Sequence, residues 1–271
     1  MAGALENYVN TVQNLSSQGN FAQLCEFIGK SADILAKNAS HLDNVLATLD
    51  IQQHSLGILG ILCVKYNMAN IPDFETLFVQ TQEFITSCNG EHVRYATDSY
   101  SDLCHKLTVN LVEQKQPMRG ISILTKSISK IQLFESQLTS IHADLCQLCL
   151  LSKNMRPALQ FLDVDITDIS KEGGHYDAKD FLLYYYYGGM IYTALKNYDR
   201  ALYMYEINAL KNYDQGLCMY EIVSIECPQK LRPGTMNPLC QSYHDLASTY
   251  ATNNPADLHT TVTKHVEVFI R

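Results

Sequence analysis

Three side chains in one short stretch, His142, Cys146 and Cys149 of IHADLCQLC, are of types that bind zinc, and helical spacing would set them on adjoining turns. A catalytic zinc needs three fixed ligands and a fourth position open to an activated water. No two of the nine histidines stand in H-x-H or H-E-x-x-H spacing, and no second Cys or His pair is placed to complete a structural site. FIGKS at 27–31 has the ending of a phosphate loop, but the first glycine of G-x4-G-K-S would fall at Leu24 and a helix is indicated where a strand should precede. The glycine pairs at 173–174 and 188–189 give no G-x-G-x-x-G dinucleotide loop. Four successive tyrosines, Tyr184 to Tyr187, could stack on bases or on peptide prolines. On a helix they would instead point around the whole cylinder and fill packing contacts to both neighbours. The sequence therefore predicts no catalytic centre, no cofactor and no metal.

Composition narrows the partners. Among 271 residues 46% are hydrophobic and 18% charged, enough apolar surface for a substantial core. Twenty basic residues stand against 28 acidic ones, a net charge of −8, and no stretch concentrates the basic ones. Nucleic acid and anionic membrane are not expected partners. The longest apolar run, ILGILCV at 58–64, is far short of a membrane span, and MAGALENYVN lacks the pattern of a secretory signal. Nine cysteines, an odd number, fit a reducing compartment, so a soluble intracellular protein is expected.

The elements that must position these residues are helices. Leu138, Ile141, Leu145, Leu148 and Cys149 recur at three- and four-residue spacing, and so do Leu5, Val9, Val12 and Leu15. QGNF at 18–21 turns the chain into a second helix through Leu24, Phe27 and Ile28. HSLGILGILCVKY and FETLFVQTQEFI form another pair, with Pro72 suited to a first helical turn and Asp73 to the positive end. Alternating strand patterns are absent. Short-looped helix pairs predict an all-α stack of hairpins resembling the tetratricopeptide (TPR) array, a right-handed solenoid.

In a tetratricopeptide hairpin small residues let two backbones approach and aromatic residues fill the grooves beside them, with spacing G-x2-Y-x8-A-x3-F. Gly189, Tyr192, Ala201 and Tyr205 match it, with KNYD as the turn. The same frame takes in Cys146, Cys149, Ala158 and Leu162, and more loosely Thr108, Leu111, Gly120 and Leu124. Cys146 and Cys149 thus already have packing roles. Gly120, Ala158 and Ala201 are 38 and 43 residues apart, longer than the ideal unit and compatible with insertions such as DVDITDISKEGGHYDAK.

A second period overlies this one. ALKNYDRALYMYEIN at 194–208 is followed by ALKNYDQGLCMYEIV, 11 of 15 positions identical. Two helices and their turns need more than 15 residues, so the copy duplicates one helix rather than a hairpin. In an unbroken helix it would also sit rotated by about 60° from the original. Residues 1–206 are expected to form the repeat array, 207–238 an irregular segment holding the copy and a Pro/Gly loop, and 239–271 a residual helical hairpin.

ASHLDNVLATLDIQQHSLGILGIL, IPDFETLF, CNGEHVRYATDSYSDLCHKLT, SIHADLCQLCLLSK, YDAKDFLLYYYYGGMIYTALKNYDRALYMYE and PLCQSYHDLASTYATNNPADL resemble the COP9 signalosome subunit 3 family. The resemblance covers residues 1 to about 206 and resumes from Pro238. It implies a non-catalytic scaffold in the complex that removes a ubiquitin-like modifier from cullins, a complex whose zinc belongs to another subunit. It also implies other signalosome subunits as partners, cullin-RING ligases as indirect ones, and a cytoplasmic and nuclear location. Family members continue into a PCI winged helix and a C-terminal helix, so the resemblance implies a truncated or isoform-like chain without that module. The alternatives are a general tetratricopeptide adaptor, which a ladder of Lys, Arg and Asn on one face would favour, another PCI-type subunit related to the proteasome lid, and a metal hydrolase.

Overall fold

The computed structural model describes residues 2–68, 71, 73–171, 177–211 and 255–264. Contacts divide the chain between Asp177 and Ala178 into two compact units. In the first, α1 (Ala2–Ser17) buries Leu5, Tyr8, Val12 and Leu15 on one stripe and pairs with α2 (Phe21–Lys37). A short α3 (Leu42–Thr48) precedes α4 (Ser55–Tyr66), in which every residue except Cys63 is buried. A helix apolar on all sides must have neighbours on all sides, and α4 packs against α2, α5 and α7. Asp73 caps α5 (Phe74–Ser87), accepting a hydrogen bond from the Thr76 N–H, while Pro72 lies outside the described residues.

After a single turn, α6 (Gly90–Val93), come α7 (Thr97–Glu113) and α8 (Ile121–Ile131), then α9 (Ile141–Leu151) and α10 (Arg156–Leu162). First helices follow one another through α4, α7 and α9, and second helices touch through α5 and α8, so within this unit successive hairpins cover one another. The sequence pattern did not disclose α3 and α6, which are too short to show a stripe. Nor did it disclose a parallel pair of two-residue strands, β1 (Gln137–Leu138) and β2 (Asp168–Ile169). β2 lies in the DVDITDIS insertion and ties it to the segment before α9, reinforced by a hydrogen bond from Gln137 Nε2 to Asp168 Oδ2 at 3.0 Å.

The second unit contains the hairpin α11 (Ala178–Ala194) and α12 (Tyr198–Lys211), and a further helix, Pro255–Lys264. The second copy of the tandem helix from 212 onward, the loop that follows it and most of the expected hairpin 239–271 lie outside the described residues. Among the described residues no helix is long and apolar enough to cross a membrane.

Four hairpins close in the same way. The chain leaves the first helix through a left-handed residue, Gly19, Lys115, Lys153 or Lys196 (φ 67°, 57°, 56° and 60°). Its N–H and the next one return to the helix end, as in Lys115 N to Val112 O (3.0 Å) and Gln116 N to Leu111 O (2.8 Å), which satisfies carbonyls that the helix leaves open. The second bond of each turn ends on Leu15, Leu111, Cys149 or Tyr192, giving the last three the same backbone position in successive hairpins.

Candidate functional site

The candidate site is the set of seams between helices. Gly120 ends a 3-10 turn (Pro117–Gly120) and is buried. A methyl group added there would lie 2.5 Å from Leu148 Cδ1 and 2.7 Å from Leu111 Cδ1. The glycine therefore stands where the first helix of its own hairpin, α7, meets the first helix of the next, α9. Thr108 is fully buried and satisfies its hydroxyl locally, donating to the Cys104 carbonyl at 2.9 Å. Leu124, Cys146, Cys149, Ala158 and Leu162 are buried as well.

His142 does not share a metal cluster with the cysteines. Its Nδ1 accepts the Thr139 N–H at 3.0 Å, and its ring meets Phe161 edge-on at 5.0 Å. Burial pushes its pKa down to about 4, so the ring is neutral at pH 7. Burial moves both thiols upward, Cys149 to about 11 and Cys146 well above its ordinary value, which leaves them protonated. Among the described residues no group of three or more His, Cys, Asp or Glu is arranged to hold a metal.

In α11 and α12 the seam is aromatic. A methyl on Gly189 would fall 2.3 Å from Tyr205 Cε1, so the bare backbone of α11 is the floor on which the Tyr205 ring lies. Tyr192, Ala201 and Tyr205 are buried, and burial pushes the Tyr205 phenol up to about 12. Arg200 stands over the Tyr192 ring at 5.7 Å. Of the four tyrosines, Tyr184 and Tyr185 are buried while Tyr186 and Tyr187 are half-buried, as a helix pointing them in all directions requires.

Some seam residues escaped the sequence reading. Gly57 and Gly60 of α4 face α1 and α2, where added methyls would lie 2.5 Å from Val12 Cγ1 and 2.4 Å from Ile28 Cγ2. Tyr8 completes this contact, its hydroxyl donating to the Gly57 carbonyl at 2.8 Å. The signal was present as two glycines three apart in SLGILGIL, a spacing that exposes backbone along one helix face. Asn208 has no comparable signal. Its amide reaches the Leu182 carbonyl across the α11–α12 pair at 2.5 Å.

Residues 18–211, which take in all of these seam residues except Tyr8 and Val12 of α1, match the family model for the N-terminal helical repeats of COP9 signalosome complex subunit 3. The chain belongs to the COP9 signalosome subunit 3 family. The Drosophila melanogaster protein of that name is 40% identical over 304 residues, covering 100% of this chain and 68% of the relative. The Dictyostelium discoideum protein of the same name is 37% identical over 176 residues, covering 64% of this chain and 42% of the relative. Membership in this family gives the seams their context, since the matched repeats run from the turn at Gly19 through the end of α12.

Proposed function

We propose that this chain is a non-catalytic scaffold subunit of the COP9 signalosome, holding other subunits of the complex that removes a ubiquitin-like modifier from cullins and so regulates cullin-RING ligases. The observation that carries this reading is the match of the family's helical repeats to residues 18–211. In this reading Gly120, Leu124, Cys146, Cys149, Ala158, Leu162, Gly189, Tyr192, Ala201 and Tyr205 are packing residues, whose job is to hold successive helices in register. Protonated buried thiols and a neutral buried imidazole support a packing role for the residue types that could have done chemistry. The chain works in the cytoplasm and nucleus, with no nucleic-acid or membrane partner.

Tagged chain expressed in cells is expected to co-purify with other signalosome subunits identified by mass spectrometry. Purified alone, it is expected to release no modifier from a conjugated cullin and to carry no stoichiometric zinc. Recovery of the chain without any signalosome subunit would overturn the scaffold assignment. One zinc per chain, lost on Cys146→Ser, would overturn the non-catalytic one.

A further inference from the structure

Three of the four hairpin turns use lysine where the first uses glycine. The left-handed conformation brings a Cβ against the following carbonyl, and Gly19 shows that the same turn with the same hydrogen bonds closes without one. A cation at a helix C-terminus is favoured, which offsets part of that cost. Stacking of equivalent helix ends then gathers the lysines. In the first unit α7 packs beside α9, and Asn154 Nδ2 lies 3.7 Å from Met118 Sδ, so the turns holding Lys115 and Lys153 are neighbours. Packed helices put such turns about 10 Å apart.

Lys115 and Lys153 are exposed, and so is Arg156, three residues beyond the turn at Lys153. Among the described residues none of the three has a carboxylate partner, whereas nearby Arg119 is held by Glu75 at 2.6 Å and by the Phe78 ring at 4.0 Å. Two apolar side chains belong to the same turns, Met118 at 55% exposure and Leu151 at 52%. Glu113, exposed at the end of α7, is the acid nearest in sequence. A local excess of unpaired cations on turns that also expose apolar side chains, on a chain of net charge −8, is a complementary surface for a partner of opposite charge.

We propose that the edge formed by Lys115, Lys153 and Arg156 around Met118 and Leu151 docks an acidic segment of another protein subunit. That segment sets carboxylates against the three cations and an apolar side chain between them. The proposal deepens the scaffold reading and rests on it. A protein segment fits better than nucleic acid, because three cations neutralise few phosphates and the two apolar side chains offer nothing to a sugar-phosphate backbone.

The test mixes the full chain with the other signalosome subunits, purified, and joins lysines to carboxylates by zero-length carbodiimide cross-linking. Cross-links from Lys115 or Lys153 to Asp or Glu residues of one subunit are expected. Combined Lys115→Glu, Lys153→Glu and Arg156→Glu should lower recovery of that subunit about tenfold, an effect that shrinks as salt rises. Lys115→Gly with Lys153→Gly keeps the turns, so its Tm should equal or exceed that of the unaltered chain while recovery still drops, which separates lost docking from lost folding. Undiminished recovery of every subunit by the charge-reversed chain would overturn the docking edge and leave the scaffold reading standing. If the unaltered chain recovers no subunit, both fall. Binding of a labelled single-stranded RNA that the three reversals abolish, with subunit recovery unchanged, would also overturn the proposal.

Discussion

A single missing Cβ has different weight at different seams, because what it would strike differs in freedom to move. At Gly120 the obstacles are the methyl ends of Leu148 and Leu111, which can rotate. At Gly189 the obstacle is the Tyr205 ring, fully buried and held by a contact of 3.3 Å between its hydroxyl and that of Thr193. Gly189→Ala is therefore expected to cost about 1–3 kcal/mol by overpacking, and Gly120→Ala clearly less. Thermal denaturation of the two variants checks the order. His142 gives a pH dependence of definite sign. The unfolded chain takes up its proton near pH 6.5, whereas the buried ring resists protonation down to about 4. Stability from this group is complete above pH 6.5 and falls between those values by about 1.4 kcal/mol per pH unit. His54 and His92, also lowered by burial, act in the same direction. His142→Gln is expected to flatten the slope in urea titrations run from pH 7 to 4.

Between elements, one charged group is buried where α3, α4 and α5 come together. The Lys65 amine, with its side chain 10% exposed, donates to Asp43 Oδ1 at 2.6 Å and to Gln80 Oε1 at 2.7 Å. Gln80 Nε2 in turn donates to Asp43 at 2.8 Å. Hydrogen bonds from Lys65 and then Gln80 hold the Asp43 carboxyl below its ordinary range. Its contribution is thus present above the unfolded carboxyl pKa and lost as pH falls through the lower folded one. Asp43→Asn leaves the buried amine facing a neutral amide and is expected to cost about 1–3 kcal/mol. Lys65→Met removes the buried charge itself and should cost less, since replacing a desolvated ion by an apolar chain is often close to neutral. Urea midpoints for the two variants decide it.

For the whole molecule the relevant scale is that of the compact units. Residues 1–177 contain four helix pairs whose buried side chains cover one another, so a chain ending at Asp177 is expected to melt cooperatively with helical circular dichroism. A gradual, non-cooperative loss of signal would show that this unit depends on the remainder of the chain. The part of the tandem copy that lies beyond α12, residues 212–223, offers a complementary measurement. Deleting those 12 residues should leave the melting of a chain otherwise intact within about 2 °C, because the frame residues through Tyr205 precede the copy.

The sequence by itself determined the helical class and the family, because apolar spacing and residue motifs are local properties of the chain. Gly189, Tyr192, Ala201 and Tyr205 could be aligned from spacing alone, as could the Cys146–Leu162 set. Tertiary structure alone decided which side chain each small residue admits, for that depends on partners distant along the chain: Val12 against Gly57, Ile28 against Gly60, Leu148 against Gly120. It also decided that α3 and α6 form, since one or two turns gain their stability from packing rather than from their own pattern. The cations are scattered in sequence, where they form no ladder. Stacking α7 beside α9 brings Lys115 and Lys153, 38 residues apart, onto adjoining turns, because a repeat superposes equivalent positions in space that its period keeps separate along the chain.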